Sequence, residues 1–315
     1  MENIFLKNVD DIDEVIPKRY KKINNFYKKI IFNIKQLFNI ITIEIIDNKA
    51  LVILPFKNRI SKIKIKKLLK KINYKFNNIT NKFNAVLSES LYKNQEFRNI
   101  LIEENINILD GKWLYRYQIL NILNYITKKK NVNIYDLEVT ILVDNAKDID
   151  LYNLNFLANS IKKLKIVTNN IEKFKNIESK LYDEKGIAIE ISNNKKRSLC
   201  KSNIIINMDF AEELVNKYNI NRNAIIINLN EKINIKSKLF NGININNYII
   251  ELNETYRRNI EKYEQFQKFN INMIYESYIF KKDSIPNILK QMELDKIKIK
   301  ALIGNNGIIN EKEFI

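Results

Sequence analysis

The 315 residues contain no histidine and a single cysteine, Cys200. Those two facts remove much of the usual chemistry of proteins. No Ser-His or Cys-His nucleophile pair can form within the chain. The commonest general base is missing, and a zinc site would have to rest on carboxylates alone. No segment has calcium-loop spacing. No catalytic residue and no metal site is therefore assigned. Carboxylates and lysines remain. Asp144, Asp148 and Asp150 follow the apolar run Val139–Val143. At the end of a strand they suit a cation, a basic ligand, or the capping of the next helix. Cys200 lies just after Lys195-Lys196-Arg197. That setting favours a thiolate, although plain packing is the simpler reading of a lone cysteine. Trp113 opens an apolar helix and reads as an anchor between domains rather than a stacking platform.

Charge is the second candidate for function. The chain carries a formal charge of +18, and residues 1–83 hold 19 Lys plus Arg against 7 Asp plus Glu. From Lys57 to Lys82 there are ten basic residues and no acid. Lys62, Lys66, Lys67, Lys70 and Lys71 are the anion-binding candidates in that run, facing nucleic acid or an anionic membrane surface. Against this, Lys outnumbers Arg 46 to 8 in a chain rich in Lys, Asn and Ile. Arginine is the residue suited to bidentate phosphate and base contacts. A solvated lysine face is the plainer alternative.

The elements that must position these residues are legible as apolar runs. Val139–Val143, Leu164–Thr168, Ile187–Ile191, Ile204–Met208 and Ala224–Asn228 alternate with helical segments. That alternation predicts an α/β fold with a doubly wound parallel sheet. Before it, an amphipathic helix over 20–38, a hairpin of Ile41–Ile46 and Ala50–Pro55, and a helix over 60–76 predict a small α/β domain. The first helix is expected to pack into a core, with the membrane surface as the alternative. Further elements are predicted at 85–87, 94–104 and 106–109. Residues 1–16 read as acidic and loosely ordered. A helix over 113–130 leads into the parallel sheet, and a long helix is expected over 254–281. The predicted domains are 1–111, 112–252 and 253–315. The last should pack back on the N-terminal domain, its tail pairing with an edge of that sheet. No apolar run approaches the ~20 residues that span a bilayer. The N-terminus lacks a signal-peptide pattern, and one cysteine suits a reducing compartment. A cytoplasmic protein is expected.

The plan of a small α/β domain, a connecting helix and a doubly wound sheet resembles the amino-acid-dehydrogenase-like families, such as shikimate dehydrogenase and glutamyl-tRNA reductase. Lys165-Ile166-Val167-Thr168-Asn169-Asn170 resembles their strand followed by Asn-Arg-Thr, in which the arginine holds a cofactor 2′-phosphate. Asn169 matches the asparagine and Asn170 replaces the arginine. Lys201–Asn207 and Ala224–Leu229 resemble the strands that follow in those families. The resemblance implies a Rossmann-like fold and, in those families, a nicotinamide cofactor. The residues themselves argue against one. A dinucleotide turn needs glycines so that pyrophosphate can approach the backbone. No glycine lies between Gly111 and Gly186, and the turn reads Asp144-Asn145-Ala146-Lys147-Asp148. Asp144, Asn145, Asn169 and Asn170 are thus what stands where a cofactor site would be, and no cofactor is expected. Three readings stay open. One is a non-catalytic binding or regulatory protein. Another is a divergent NAD(P)-dependent oxidoreductase working in a cleft between the domains. The third is a nucleic-acid or membrane-surface binder. Partner and oligomeric state are not specified.

Overall fold

The computed structural model describes all residues except 1–2, 47–48, 58–59, 77–82, 162, 255–256, 259–263, 281–283 and 315. The chain divides into two compact units, one of Met1–Gly111 with Thr255–Lys281 and one of Lys112–Glu254 with Lys282–Ile315.

The first unit is built on a five-stranded sheet in the order β2-β3-β1-β4-β5. Its strands are β1 (Asn3–Asn8), β2 (Thr42–Ile46), β3 (Lys49–Leu54), β4 (Asn84–Leu87) and β5 (Asn107–Leu109). All pairs are parallel except the β2–β3 hairpin at one edge. The hairpin turn at 47–48 lies outside the described residues. The N-terminus is a correction: residues 3–8, expected to be loose, form the middle strand and are buried throughout. Pairing on both edges and cover on both faces make a short apolar run sufficient there. Ile4 and Leu6 face the helices α2 (Lys62–Lys75) and, past the short helix α3 (Glu89–Lys93), α4 (Gln95–Glu103), with Leu68 and Ile100 in one cluster. Phe5 faces the other way, edge-on to Phe266 at 5.1 Å and Phe269 at 5.3 Å. The acids that suggested disorder have a different use. Lys7 is buried in β1, and its ammonium lies 2.8 Å from Glu14 and 3.6 Å from Asp10.

The helix α1 (Asn25–Leu37) is a second correction. Phe32 is its only buried residue, and Phe26, Tyr27, Ile30, Ile34 and Leu37 are exposed rather than packed into a core. The expected long helix over 254–281 is also broken. Residues 264–268 form a short 3-10 turn, and Asn270 then caps a new helix over 271–279 by accepting the Asn272 N–H at 2.8 Å. Residues 255–256, 259–263 and 281 of that expectation lie outside the described residues.

The second unit carries six parallel strands: β6 (Glu138–Leu142), β7 (Lys163–Val167), β8 (Glu190–Ser192), β9 (Ile204–Asn207), β10 (Ile225–Asn228) and β11 (Ile243–Ile245). Their order is β11-β10-β9-β6-β7-β8. Counted along the chain this is 3-2-1-4-5-6, the Rossmann order, whose direction reverses between β6 and β9. The fold class is therefore a two-unit α/β protein with a Rossmann-like doubly wound sheet. β11 adds a sixth strand to the five runs expected in the sheet, from the extended stretch around Asn241-Gly242. Gly242 permits it: a Cβ there would lie 2.1 Å from the Ala224 carbonyl oxygen. The segment over 113–130 is two helices, α5 (Lys112–Tyr117) and α6 (Ile119–Lys130), broken at Gln118. The Gln118 side chain is fully buried and accepts from Asn121 at 2.7 Å. Among the described residues the strand of the tail pairs within its own unit rather than with the first sheet. β12 (Asn247–Glu251) and β13 (Lys298–Ile303) form an antiparallel pair of their own, because β12 follows β11 directly and keeps the late strand in this unit. No helix among the described residues is long and apolar enough to cross a membrane.

Candidate functional site at the carboxyl edge of the parallel sheet

Open α/β sheets bind ligands outside the carboxyl ends of their strands, where the strand order reverses. In this unit that place lies beyond β6 and β9. The turn after β6 runs from Asp144 to Lys147, and α7 (Asp148–Ser160) follows it. The backbone N–H groups of Asp144 and Asn145 point at the carboxylate of Asp209, which lies just beyond β9. Asp144 N donates to Asp209 Oδ1 at 2.9 Å, and Asn145 N donates to Oδ2 at 2.5 Å. Two N–H groups on one carboxylate make a charge-assisted pair.

The side chain of Asp144 closes the next gap. Its Oδ1 accepts from Asn169 N at 2.6 Å and from the Thr168 hydroxyl at 3.2 Å. Its Oδ2 accepts from the Asn169 amide at 2.6 Å, and its carbonyl from the Asn170 amide at 3.1 Å. The four residues singled out from the sequence are therefore one cluster, tying the turn after β6 to the turn after β7. After the helix α8 (Ile171–Lys185), Lys195, buried at the start of α9 (Lys195–Lys201), donates to Asn169 Oδ1. Its ammonium also lies 5.7 Å from the centre of the Phe210 ring. Helix capping was the other use weighed for the three acids. Asp150 serves it, accepting the Lys147 N–H at 2.9 Å. Asp144 does not.

Beneath the turn sits a buried ion pair. Arg116 Nη1 lies 2.6 Å from both oxygens of Asp150, and Arg116 Nη2 donates to the Met208 carbonyl at 2.9 Å. The strands on the far side end in asparagines. Asn207 and Asn228 are register partners, and the Asn228 amide donates to Asn244 at 2.8 Å and Asn246 at 2.9 Å. Asn244 also lines a cavity of about 250 Å³ with Phe240, Gly242, Gly304 and Gly307. The polar groups along this edge are largely bonded to one another. Asp209, Arg116, Lys195 and Asn228 were missed by sequence reasoning. Only Arg116 had a signal: an arginine amid Leu114, Tyr115 and Tyr117 must be paired if it is buried. Cys200, read as packing, is exposed. Trp113 packs on Tyr117, their ring centres 4.5 Å apart. No group of three or more Cys, Asp or Glu residues that could hold a metal ion occurs among the described residues.

The lysine candidates of the first unit divide by partner. Lys62 reaches Glu103 at 2.9 Å, and Lys66 reaches Glu104 at 3.0 Å. The hydrogen bond to Glu104 raises the Lys66 pKa, and the one from Lys62 lowers that of Glu103. Lys71 donates to the carbonyls of Phe38 at 2.6 Å and Asn39 at 3.0 Å, closing the end of α1. Lys67 and Lys70 are exposed. Residues 58–59 and 77–82 of the basic run lie outside the described residues.

No protein-family model matches the sequence, and no curated protein matches it. Solved structures similar to it include dehydrogenase-like proteins at very low identity. One is the Δ1-pyrroline-2-carboxylate reductase of Thermococcus litoralis in complex with NADH and L-proline (13% identity, TM-score 0.25, 35% of this chain and 36% of that one). Another is a dipicolinate synthase chain of Bacillus halodurans (12%, TM-score 0.32, 56% and 57%). A third is the L-tryptophan dehydrogenase of Nostoc punctiforme (8%, TM-score 0.32, 94% and 88%). The match spans less than two thirds of the first two of these chains. Scores this low carry nothing about activity. The class is that of the sheet itself, a Rossmann-like α/β protein.

Proposed function

We propose that the second unit is a non-catalytic binding or regulatory module, a pseudoenzyme on a nucleotide-binding scaffold. The observation that carries this reading is the position of Asp209. In dinucleotide-binding sheets the turn after the first strand offers its N–H groups to a diphosphate. Here the N–H groups of Asp144 and Asn145 are given to a carboxylate of the chain itself. A diphosphate arriving there would meet the like charges of Asp144 and Asp209. Arg116, close by, is bound to Asp150 and to Met208. The absence of histidine further narrows acid–base chemistry.

Thermal unfolding of the full chain with NAD⁺, NADH, NADP⁺ and NADPH tests the proposal. A ligand at a hundred times its Kd stabilises the native state by about 2.7 kcal/mol. For a unit of this size that is a rise of roughly 5–10 °C. No rise at millimolar cofactor is the expected result. A saturable rise with any of the four would overturn the proposal, because it would show that Asp209 does not keep a dinucleotide from this edge of the sheet.

A further inference from the structure

We propose that α1 lies on the surface of an anionic lipid bilayer, its apolar side chains at the acyl boundary and the neighbouring lysines against the phosphate headgroups. The inference concerns the first unit and is independent of whether the second binds a nucleotide.

The helix is inverted relative to an ordinary surface helix. Phe26, Ile30, Ile34 and Leu37 recur at i, i+4, i+8 and i+11 and form one stripe, and that stripe faces solvent. Phe26 is 66% exposed, Leu37 70% and the adjoining Phe38 60%. The rotation of the helix is fixed by its other side. Lys28 pairs with Asp13 at 2.9 Å, Lys35 donates to the Thr42 hydroxyl at 3.0 Å, and Phe32 joins the buried cluster that holds Phe5. Lys71 holds the last carbonyls. Turning the stripe inward would break all of these contacts. Thirteen residues present a stripe about 20 Å long. It runs on through Ile40 into a cavity of about 480 Å³ that it shares with Ile41, Tyr74, Lys70, Lys71 and Lys75.

Charge selects the occupant. Between Glu14 and Glu44 the chain has seven basic residues and no acid. Exposed lysines on α2, Lys67, Lys70 and Lys75, extend the same sign along the cavity end of the stripe. A polyanion such as nucleic acid would match the charge and leave the large apolar side chains in water. A second copy would match the apolar stripe, but a twofold contact would press together two segments of +12 each, since residues 1–83 hold 19 basic and 7 acidic residues. An anionic bilayer satisfies both features. An apolar face flanked by Lys and aromatic residues is the pattern of helices lying in the membrane plane.

Co-sedimentation of the full chain with vesicles tests this, comparing phosphatidylcholine alone with a mixture containing about one-third phosphatidylglycerol. Binding to the anionic vesicles, falling as salt is raised, is expected, with little binding to phosphatidylcholine alone. The variant Phe26→Ser/Ile34→Ser/Leu37→Ser should weaken binding by about tenfold or more. These side chains are exposed, so its thermal midpoint should match the parent. Lys29→Gln/Lys70→Gln/Lys75→Gln, which removes an exposed lysine of α1 and two of α2, should cost roughly fivefold per lysine on anionic vesicles only. Three results would each overturn the proposal. One is the absence of binding to anionic vesicles at low salt. Another is a serine variant that binds as the parent does. The last is sedimentation velocity showing a dimer that the serine variant abolishes, which would assign the stripe to a second copy.

Discussion

The ion pair between Arg116 and Asp150 offers the sharpest test of how the turn after β6 is held. Both side chains are almost fully buried, at 6% and 1% exposure. Asp150→Ala removes both carboxylate contacts of the guanidinium and leaves it the Met208 carbonyl. An uncompensated buried charge costs about 3–5 kcal/mol. The Lys147 N–H loses its charged acceptor as well, for about 1 kcal/mol more. Arg116→Met strands the carboxylate instead and should cost a similar amount. The double variant Arg116→Met/Asp150→Leu removes both charges with little loss of volume. It should recover to within about 1–2 kcal/mol of the parent, because a buried pair and an apolar replacement are often close in stability. Urea unfolding followed by Trp113 fluorescence is the assay, since the only tryptophan lies in α5 with Arg116. A loss below about 1 kcal/mol for Asp150→Ala would refute the reasoning. So would a double variant whose loss equals the sum of the singles. Either result would mean that the pair does not hold the turn in place.

Other outcomes follow from the same geometry. Asp209→Ala withdraws an acceptor from two N–H groups at a partly exposed turn and should cost about 1–2 kcal/mol. If the carboxylate does act as an internal anion, sulfate should raise the melting temperature of this variant more than that of the parent, and equal responses would refute that role. Gly242→Ala places a methyl group 2.1 Å from the Ala224 carbonyl and should cost about 2–4 kcal/mol with loss of β11 pairing. Gly186→Ala, at φ 66° with nothing within 4 Å, should cost only about 1 kcal/mol. Matching losses in urea titrations would refute the distinction. Burial raises the pKa of Tyr92, and the nearby Asp110 carboxylate adds to it, to about 12; burial alone brings Tyr117 to about 12 and also pushes Tyr115 upward. A raised phenol pKa stabilises the folded chain below the ordinary value of 10.0, and that contribution is lost as pH climbs from there towards 12. Tyrosinate absorbance should show these three ionising late, and a melting temperature level across that window would count against the assignment.

The elements that read most clearly were those whose burial is decided locally. Ile204–Asn207 and Ile225–Asn228 are short runs of isoleucine, and in a parallel sheet covered on both faces such a run has only one comfortable place. Elements that failed depended on partners distant in the chain. Residues 3–8 looked loose because Asp10 and Glu14 follow them, and those acids turned out to be counter-charges for a lysine in the strand itself. Periodicity over 20–38 was real, but it does not say which side of a helix faces the protein. That choice came from Lys28 with Asp13 and Lys35 with Thr42. The breaks at Gln118 and before Asn270 are small backbone changes that leave the apolar spacing nearly intact, so the spacing did not announce them.

By itself the amino-acid order determined that this is an α/β chain without histidine chemistry, lacking the glycines of a dinucleotide turn and strongly basic over residues 1–83. Composition and apolar spacing suffice for those conclusions because both act over a few neighbouring residues. Only the tertiary structure decided what fills the carboxyl edge of the sheet. Asp209 is separated from Asp144 by 65 residues, and Asp150 from Arg116 by 34. Which carboxylate meets which donor is a matter of strand order and register, and those are set by the packing of the whole unit rather than by any one stretch of it.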